Sequence, residues 1–341
     1  MIRIRGLRAA LALANATLAS LNLAAAQNRQ VEIPDLILKM RAYSMTVPAG
    51  WRFEGRIMPG TPCVAGPFPV FRLMSPDGLT GARMLPRLDW AWSDLPKNPN
   101  QRPPDCLQID RQLAAAELLR YLVPILGVTF VRELPPEHLA ELQANAKEAN
   151  ARAAATTHSD AFPPVQTIDQ ARFLVRYNVN AVPVDEYLRA TVSCLDEPRR
   201  VAQNPAPNHF HSCSAVITRT RAREGQLDAL QATMTPVSQS FTVDSEWNRK
   251  WLALSIDKIN AASAQDPKLL APLGPDAARA RQALRDALAQ GQELRRQQNA
   301  QLLAAMQPGA HPSPSRDWVD YALELNLRLN PATGALPNAR Q

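Results

Sequence analysis

His209, His211 and Cys213 stand two residues apart in the stretch HFHSCSAVITRTR, residues 209–221. Alternate residues of an extended chain point the same way, so two imidazoles and a thiol would share one face. His-x-His with a thiolate two residues on supplies nitrogen and sulfur donors of the kind zinc takes. The competing reading makes Cys213 half of a disulfide, which removes the thiolate. His209 and His211 are then solvent-facing side chains at the start of a strand beside a polar loop.

The cysteine count favours the disulfide. Cys63, Cys106, Cys194 and Cys213 are the four cysteines of the chain, and an even number in an exported protein reads as two bridges. Three pairings are open. Cys63–Cys106 with Cys194–Cys213 is preferred, because each pair then lies within one local unit. A bridge closing a loop of this size contributes ~3 kcal/mol, mainly by restricting the unfolded chain. With the sulfurs tied, a cysteine nucleophile is not expected. No C-x-x-C, G-x-S-x-G, G-x-x-x-x-G-K-[ST] or G-x-G-x-x-G occurs, which removes the familiar redox, hydrolase and nucleotide signatures. Asp77, Asp89 and Asp94 read as separate turn residues, and no catalytic residue is assigned. Aromatic side chains point to binding instead. Trp51, Phe53, Trp90 and Trp92 fall in one unit, where they either fill a core or mark a contact surface. Asp89, Trp90 and Trp92, within DWAW, are the candidate binding surface.

The elements that must position these residues follow from periodicity. In EYLRATVSCL, residues 186–195, Leu188, Ala190, Val192 and Cys194 share a face. In residues 209–221, Cys213, Ala215 and Ile217 do the same. Two strands, joined by the proline-rich loop 198–208, would set Cys194 and Cys213 on apolar faces that suit a bridge. Further strands are expected at 42–47, 51–57, 68–74, 79–85, around Trp90 and Trp92, at 128–134 and at 171–182, with a turn at Ser75-Pro76-Asp77-Gly78. Helical spacing marks 105–126, with Asp105 as its cap, then 137–155 and 226–241. Asp244 is the cap of a further helix carrying Trp247 and Trp251. Residues 27–40 read as a leader into the fold, and 158–167 as a loop.

Arg3, Arg5 and Arg8 precede an apolar run ending in Ala24-Ala25-Ala26, the layout of a secretory signal over residues 1–26. Its removal would carry three arginines away from a formal net charge of +7, leaving a modest balance that argues against nucleic acid as partner. No other stretch reaches the roughly 18 apolar residues of a membrane span. The layout expected is a signal at 1–26, an α+β domain at 27–241 with a helical insertion at about 127–170, a helical extension at 242–306, and a linker and tail at 307–341. The leucine stripe of 276–306 either docks on its own domain or self-associates as a coiled coil.

The order strand, Pro48-Ala49-Gly50-Trp51, strand, strand, Ser-Pro-Asp-Gly, strand and helix resembles the PsbP-like fold. Tyr43, Pro48, Gly50, Trp51 and Phe71 to Gly78 carry the likeness. The resemblance implies an antiparallel sheet with helices packed on it, as in exported bacterial proteins of the DcrB kind, and a binding or accessory role. It brings no catalytic residue. The chain also resembles other exported proteins of proteobacteria. The expectation is therefore an α+β, periplasmic or secreted, non-enzymatic protein with no cofactor, binding a small ligand or an envelope protein. Alternatives are a metal-binding protein or metal-dependent enzyme using His209 and His211, or a structural subunit of an envelope assembly associating through 276–306.

Overall fold

A computed structural model describes residues 28–252, apart from 36–37, 59, 62, 65, 95–105, 108, 158–161 and 200–206. The expected signal at 1–26, the helix at 276–306 and the tail at 307–341 lie outside these residues.

The fold is α+β and its strands pair antiparallel. The larger sheet has eight strands in the order β3-β4-β5-β10-β9-β8-β7, with β6 also paired to β10. These are β3 (Arg52–Met58), β4 (Phe68–Met74), β5 (Gly81–Met84), β6 (Leu88–Ser93), β7 (Thr129–Leu134), β8 (Val165–Val179), β9 (Val182–Arg199) and β10 (Asn208–Arg223). The smaller sheet joins β1 (Arg29–Asp35), β2 (Met40–Val47) and β11 (Thr242–Val243). Among the described residues, helices α1 (Ala115–Ile125), α2 (Leu139–Thr156) and α3 (Leu227–Gln239) pack on them.

Strand β10 organises the whole. One edge pairs with β9 along its full length, while the other meets β6 at Phe210–Ala215 and β5 at Thr218–Arg221. Burial along β9 and β10 alternates through the middle of both strands, as a sheet with one covered face requires. On that face Phe173, Leu188, Ala190, Val192, Ala215 and Ile217 meet Leu118, Leu119, Leu122 and Ile125 of α1 in one core. Each fully buried Leu, Ile, Val or Phe side chain among them stabilises by about 1.5–3 kcal/mol. A second core forms where Val31, Ile33, Met45 and Val47 of the small sheet pack on Phe71, Leu73 and Ala82, with Val237 of α3.

Several elements differ from the sequence reading. Residues 29–35 form a strand rather than a leader. Val31, Ile33 and Asp35 turn inward, and Pro34 sits at a register shift of an edge strand, where a missing N–H is tolerated. Helix α1 begins at Ala115 and not near Asp105. Its N-terminus is capped from another element, since the Ala115 N–H donates to the Asp169 carboxylate of β8 at 2.7 Å. The 127–170 segment is helical only over α2, because its two ends are strands of the large sheet, β7 at the edge and the start of β8. Strand β9 runs on through Pro198, so the loop before β10 is shorter than periodicity suggested.

Beyond 241 the chain docks back on the small sheet. Asp244 caps a helix that is described as far as 252, its Oδ1 accepting the N–H groups of Glu246 and Trp247 at 3.0 Å each. The buried Trp247 indole donates to Asp35 Oδ2 at 2.7 Å. No helix among the described residues is long and apolar enough to cross a membrane.

Candidate functional site

The register of β6, β10 and β9 decides where the chemistry-bearing side chains fall. Cys213 lies directly opposite Cys194 on one side and Trp90 on the other. One step along the same face, His211 lies opposite Asp196 and Trp92. A further step reaches His209, opposite Pro198. The covered face thus ends in two rows, a buried one of Trp90, Cys213 and Cys194, and a half-buried one of Trp92, His211 and Asp196.

The buried row is structural. Cys194 and Cys213 are bonded across the strand pair, and Cys63 is bonded to Cys106. Trp90 is fully buried and its indole N–H donates to the Arg111 carbonyl at 2.9 Å. Asp89 is also buried; it accepts from Arg87 Nε at 2.7 Å and from Thr61 Oγ at 2.8 Å. Neither residue is available as a contact surface: Trp90 is covered by the segment that Cys106 anchors, with Leu107 bridged to it, and Asp89 is closed over by Thr61 and Arg87. Of Asp89, Trp90 and Trp92, only Trp92 reaches the rim.

The outer row converges. His209 Nδ1 lies 2.9 Å from both oxygens of Asp196, and His211 Nδ1 lies 3.6 Å from Asp196 Oδ1. The two imidazoles are near parallel, 14° apart, with centroids separated by 6.0 Å. The indole of Trp92 stacks on His211 at 4.5 Å and 15°, fixing that ring. Side-chain exposures of 38% for His209, 23% for His211 and 30% for Asp196 place the group at a solvent-accessible rim. One donor atom from each residue falls within 4.8 Å of the others. Asp196 belongs to no motif that residue type and spacing mark in the sequence. The signal was present nonetheless: if Cys194 faces Cys213, two residues on from the first must face two residues back from the second.

At the opposite end of the same face lies a buried ionic network. Arg219 Nε donates to Glu186 Oε1 at 2.5 Å, and the Tyr177 hydroxyl donates to Glu186 Oε2 at 2.8 Å. Arg221 donates to the Tyr177 hydroxyl at 3.1 Å and to the Gly78 carbonyl at 2.7 Å. Burial, reinforced by the Glu186 charge, pushes the Tyr177 hydroxyl above its ordinary pKa. This network ties β8, β9 and β10 to the Ser75–Gly78 turn, and its carboxylate is fully occupied.

No protein-family model matches the chain, and no curated protein does. Among solved structures the chain is similar to the solution structure of cyanobacterial PsbP (CyanoP) from Synechocystis sp. PCC 6803, at 10% sequence identity. That likeness covers 64% of this chain and 94% of the other, with a TM-score of 0.19. A score this low is a weak likeness to PsbP and carries no argument about function.

Proposed function

We propose that this chain is a non-enzymatic binding protein of an oxidising, extracytoplasmic compartment, and that it meets its ligand at the rim formed by Trp92, Asp196, His209 and His211. The observation that carries the reading is the convergence of a stacked Trp–His pair and a carboxylate where the covered sheet face emerges into solvent. Pairing of all four cysteines supports the compartment, as does the arginine-led apolar run before Ala26. Binding is favoured over catalysis because the sulfurs are tied and the buried carboxylates Asp89, Asp185 and Glu186 are held by arginines. Histidine footprinting with diethyl pyrocarbonate tests this. In an envelope extract of the native cell, His209 and His211 should be protected relative to the purified, ligand-stripped protein. His138, 62% exposed beside α2, should react equally in both. Equal reactivity of all three would remove the reading.

A further inference from the structure

We infer that Asp196, His209 and His211 form a binding site for a divalent first-row transition ion of the zinc or copper class. The inference rests on, and sharpens, the reading of this rim as the ligand-binding surface.

Geometry, donor chemistry and the surroundings of Asp196 each point there. His209 and His211 sit at i and i+2 of β10, so both imidazoles leave the same face, and Asp196 comes from the directly paired position on β9. Donors from two paired strands make a triangle without needing a loop to organise it. The donor atoms already fall within 4.8 Å of one another. A tetrahedral ion with bonds of about 2.0–2.1 Å to nitrogen and 2.0–2.2 Å to oxygen wants them roughly 3.4 Å apart. Small side-chain rotations close that difference, and the backbone need not move.

Two imidazole nitrogens and one carboxylate oxygen form a borderline set suited to zinc, copper or nickel, and are a poor cage for calcium or magnesium, which require mainly oxygen. Three protein donors leave a coordination position open to solvent, as sites that exchange a ligand require.

The carboxylates buried in this sheet are neutralised by guanidinium groups: Glu186 by Arg219, Asp185 by Arg176, Asp89 by Arg87. Among the described residues the ionic partners of Asp196 are the two imidazoles alone. Arg199, close along the strand, is paired with Glu197 and lies over the Phe210 ring at 4.9 Å. A carboxylate facing two imidazoles with no fixed cation can accept a divalent ion without first breaking a salt bridge.

Preorganisation adds to this. The Cys194–Cys213 bond clamps the two strands one row away, and Trp92 holds the His211 ring by stacking. Metal affinity gains whenever ligand orientation is fixed beforehand.

Isothermal titration of chelator-stripped, disulfide-intact protein with zinc chloride, and separately with copper(II) sulfate, tests the inference. The expected result is one ion per chain. His209→Ala and Asp196→Ala should each weaken binding at least tenfold, while His138→Ala leaves it unchanged. Thermal melts of the metal-free variants show that they fold, and only the wild-type melt should rise steeply with zinc. Equal affinity in wild type and in the His209→Ala/Asp196→Ala double variant would overturn the assignment. So would no binding to the wild type. If that came with footprint protection of His209 and His211 in the envelope extract, the rim would bind something other than a metal. Absence of both signals would also remove the binding reading beneath it.

Discussion

Replacing Glu186 by alanine should cost this fold about 4 kcal/mol. The Glu186 and Arg219 side chains are 1% and 5% exposed, so the ion pair is out of reach of solvent screening. Breaking such a pair from one side typically costs 3–5 kcal/mol, because the remaining charge stays buried without the partner that offset its desolvation. Tyr177 would also lose the acceptor of its hydroxyl, a bond of 2.8 Å worth about 1 kcal/mol. Arg221, which leans on that hydroxyl and on the Gly78 carbonyl, would lose part of its hold on the Ser75–Gly78 turn. Urea titration at neutral pH with both disulfides intact, followed by tryptophan fluorescence, reads the effect. With an m-value of about 2–3 kcal/mol per molar, the midpoint should fall by roughly 1.5–2 M. Glu186→Leu combined with Arg219→Leu should be less damaging than Glu186→Ala alone, since it removes both desolvation penalties together. A Glu186→Ala midpoint within about 0.3 M urea of wild type, under about 1 kcal/mol at that m-value, would refute the reasoning.

Three further outcomes follow from local geometry. Gly81→Ala places a Cβ 2.3 Å from the Leu73 carbonyl oxygen and 2.6 Å from Met74 Sδ; backbone cannot yield cheaply there, and a loss of about 1–3 kcal/mol in urea titration is expected. Ala181 closes the β8–β9 hairpin at φ +63° beside Asn180 at φ +50°, so Ala181→Gly should stabilise by about 1 kcal/mol by relieving left-handed strain, and an unchanged or lower midpoint would contradict that. Burial alone would raise the Asp185 carboxyl pKa, but hydrogen bonds from Arg176 and the Gly225 N–H outweigh it and hold the group below its ordinary value. Its contribution is therefore present above the ordinary carboxylate range and lost as pH falls through the lowered value. The stability gap between wild type and Asp185→Asn should be widest near pH 7, begin to narrow below about pH 4 and close only once pH falls below the lowered native value; a gap independent of pH would contradict the assignment.

The central strand pair was legible because its alternation is long and its cysteines fall on matching faces. Placing Cys194 against Cys213 fixes the register, and the register alone would have brought Asp196 to His211. What alternation cannot say is which face another segment covers. Trp90 and Trp92 have the same spacing and the same face, yet one is buried under the Cys106–Leu107 segment and the other stands at the rim. The start of α1 was hidden because its cap, Asp169, comes from a strand far downstream, while Asp105 offered a local alternative. Strand β1 was masked by Pro34, and the first third of β8 by its polar composition, VQTIDQ. The β8–β9 hairpin leaves little trace in the sequence because Asn180-Ala181 lacks the glycine that usually announces such a turn.

Anomalous diffraction at the zinc absorption edge, from crystals of the protein grown with zinc, tests the rim most directly. One strong peak is predicted about 2 Å from a ring nitrogen of both His209 and His211 and from a carboxylate oxygen of Asp196. A map with no peak there, and with the His209 ring still hydrogen-bonded to Asp196, would contradict the account.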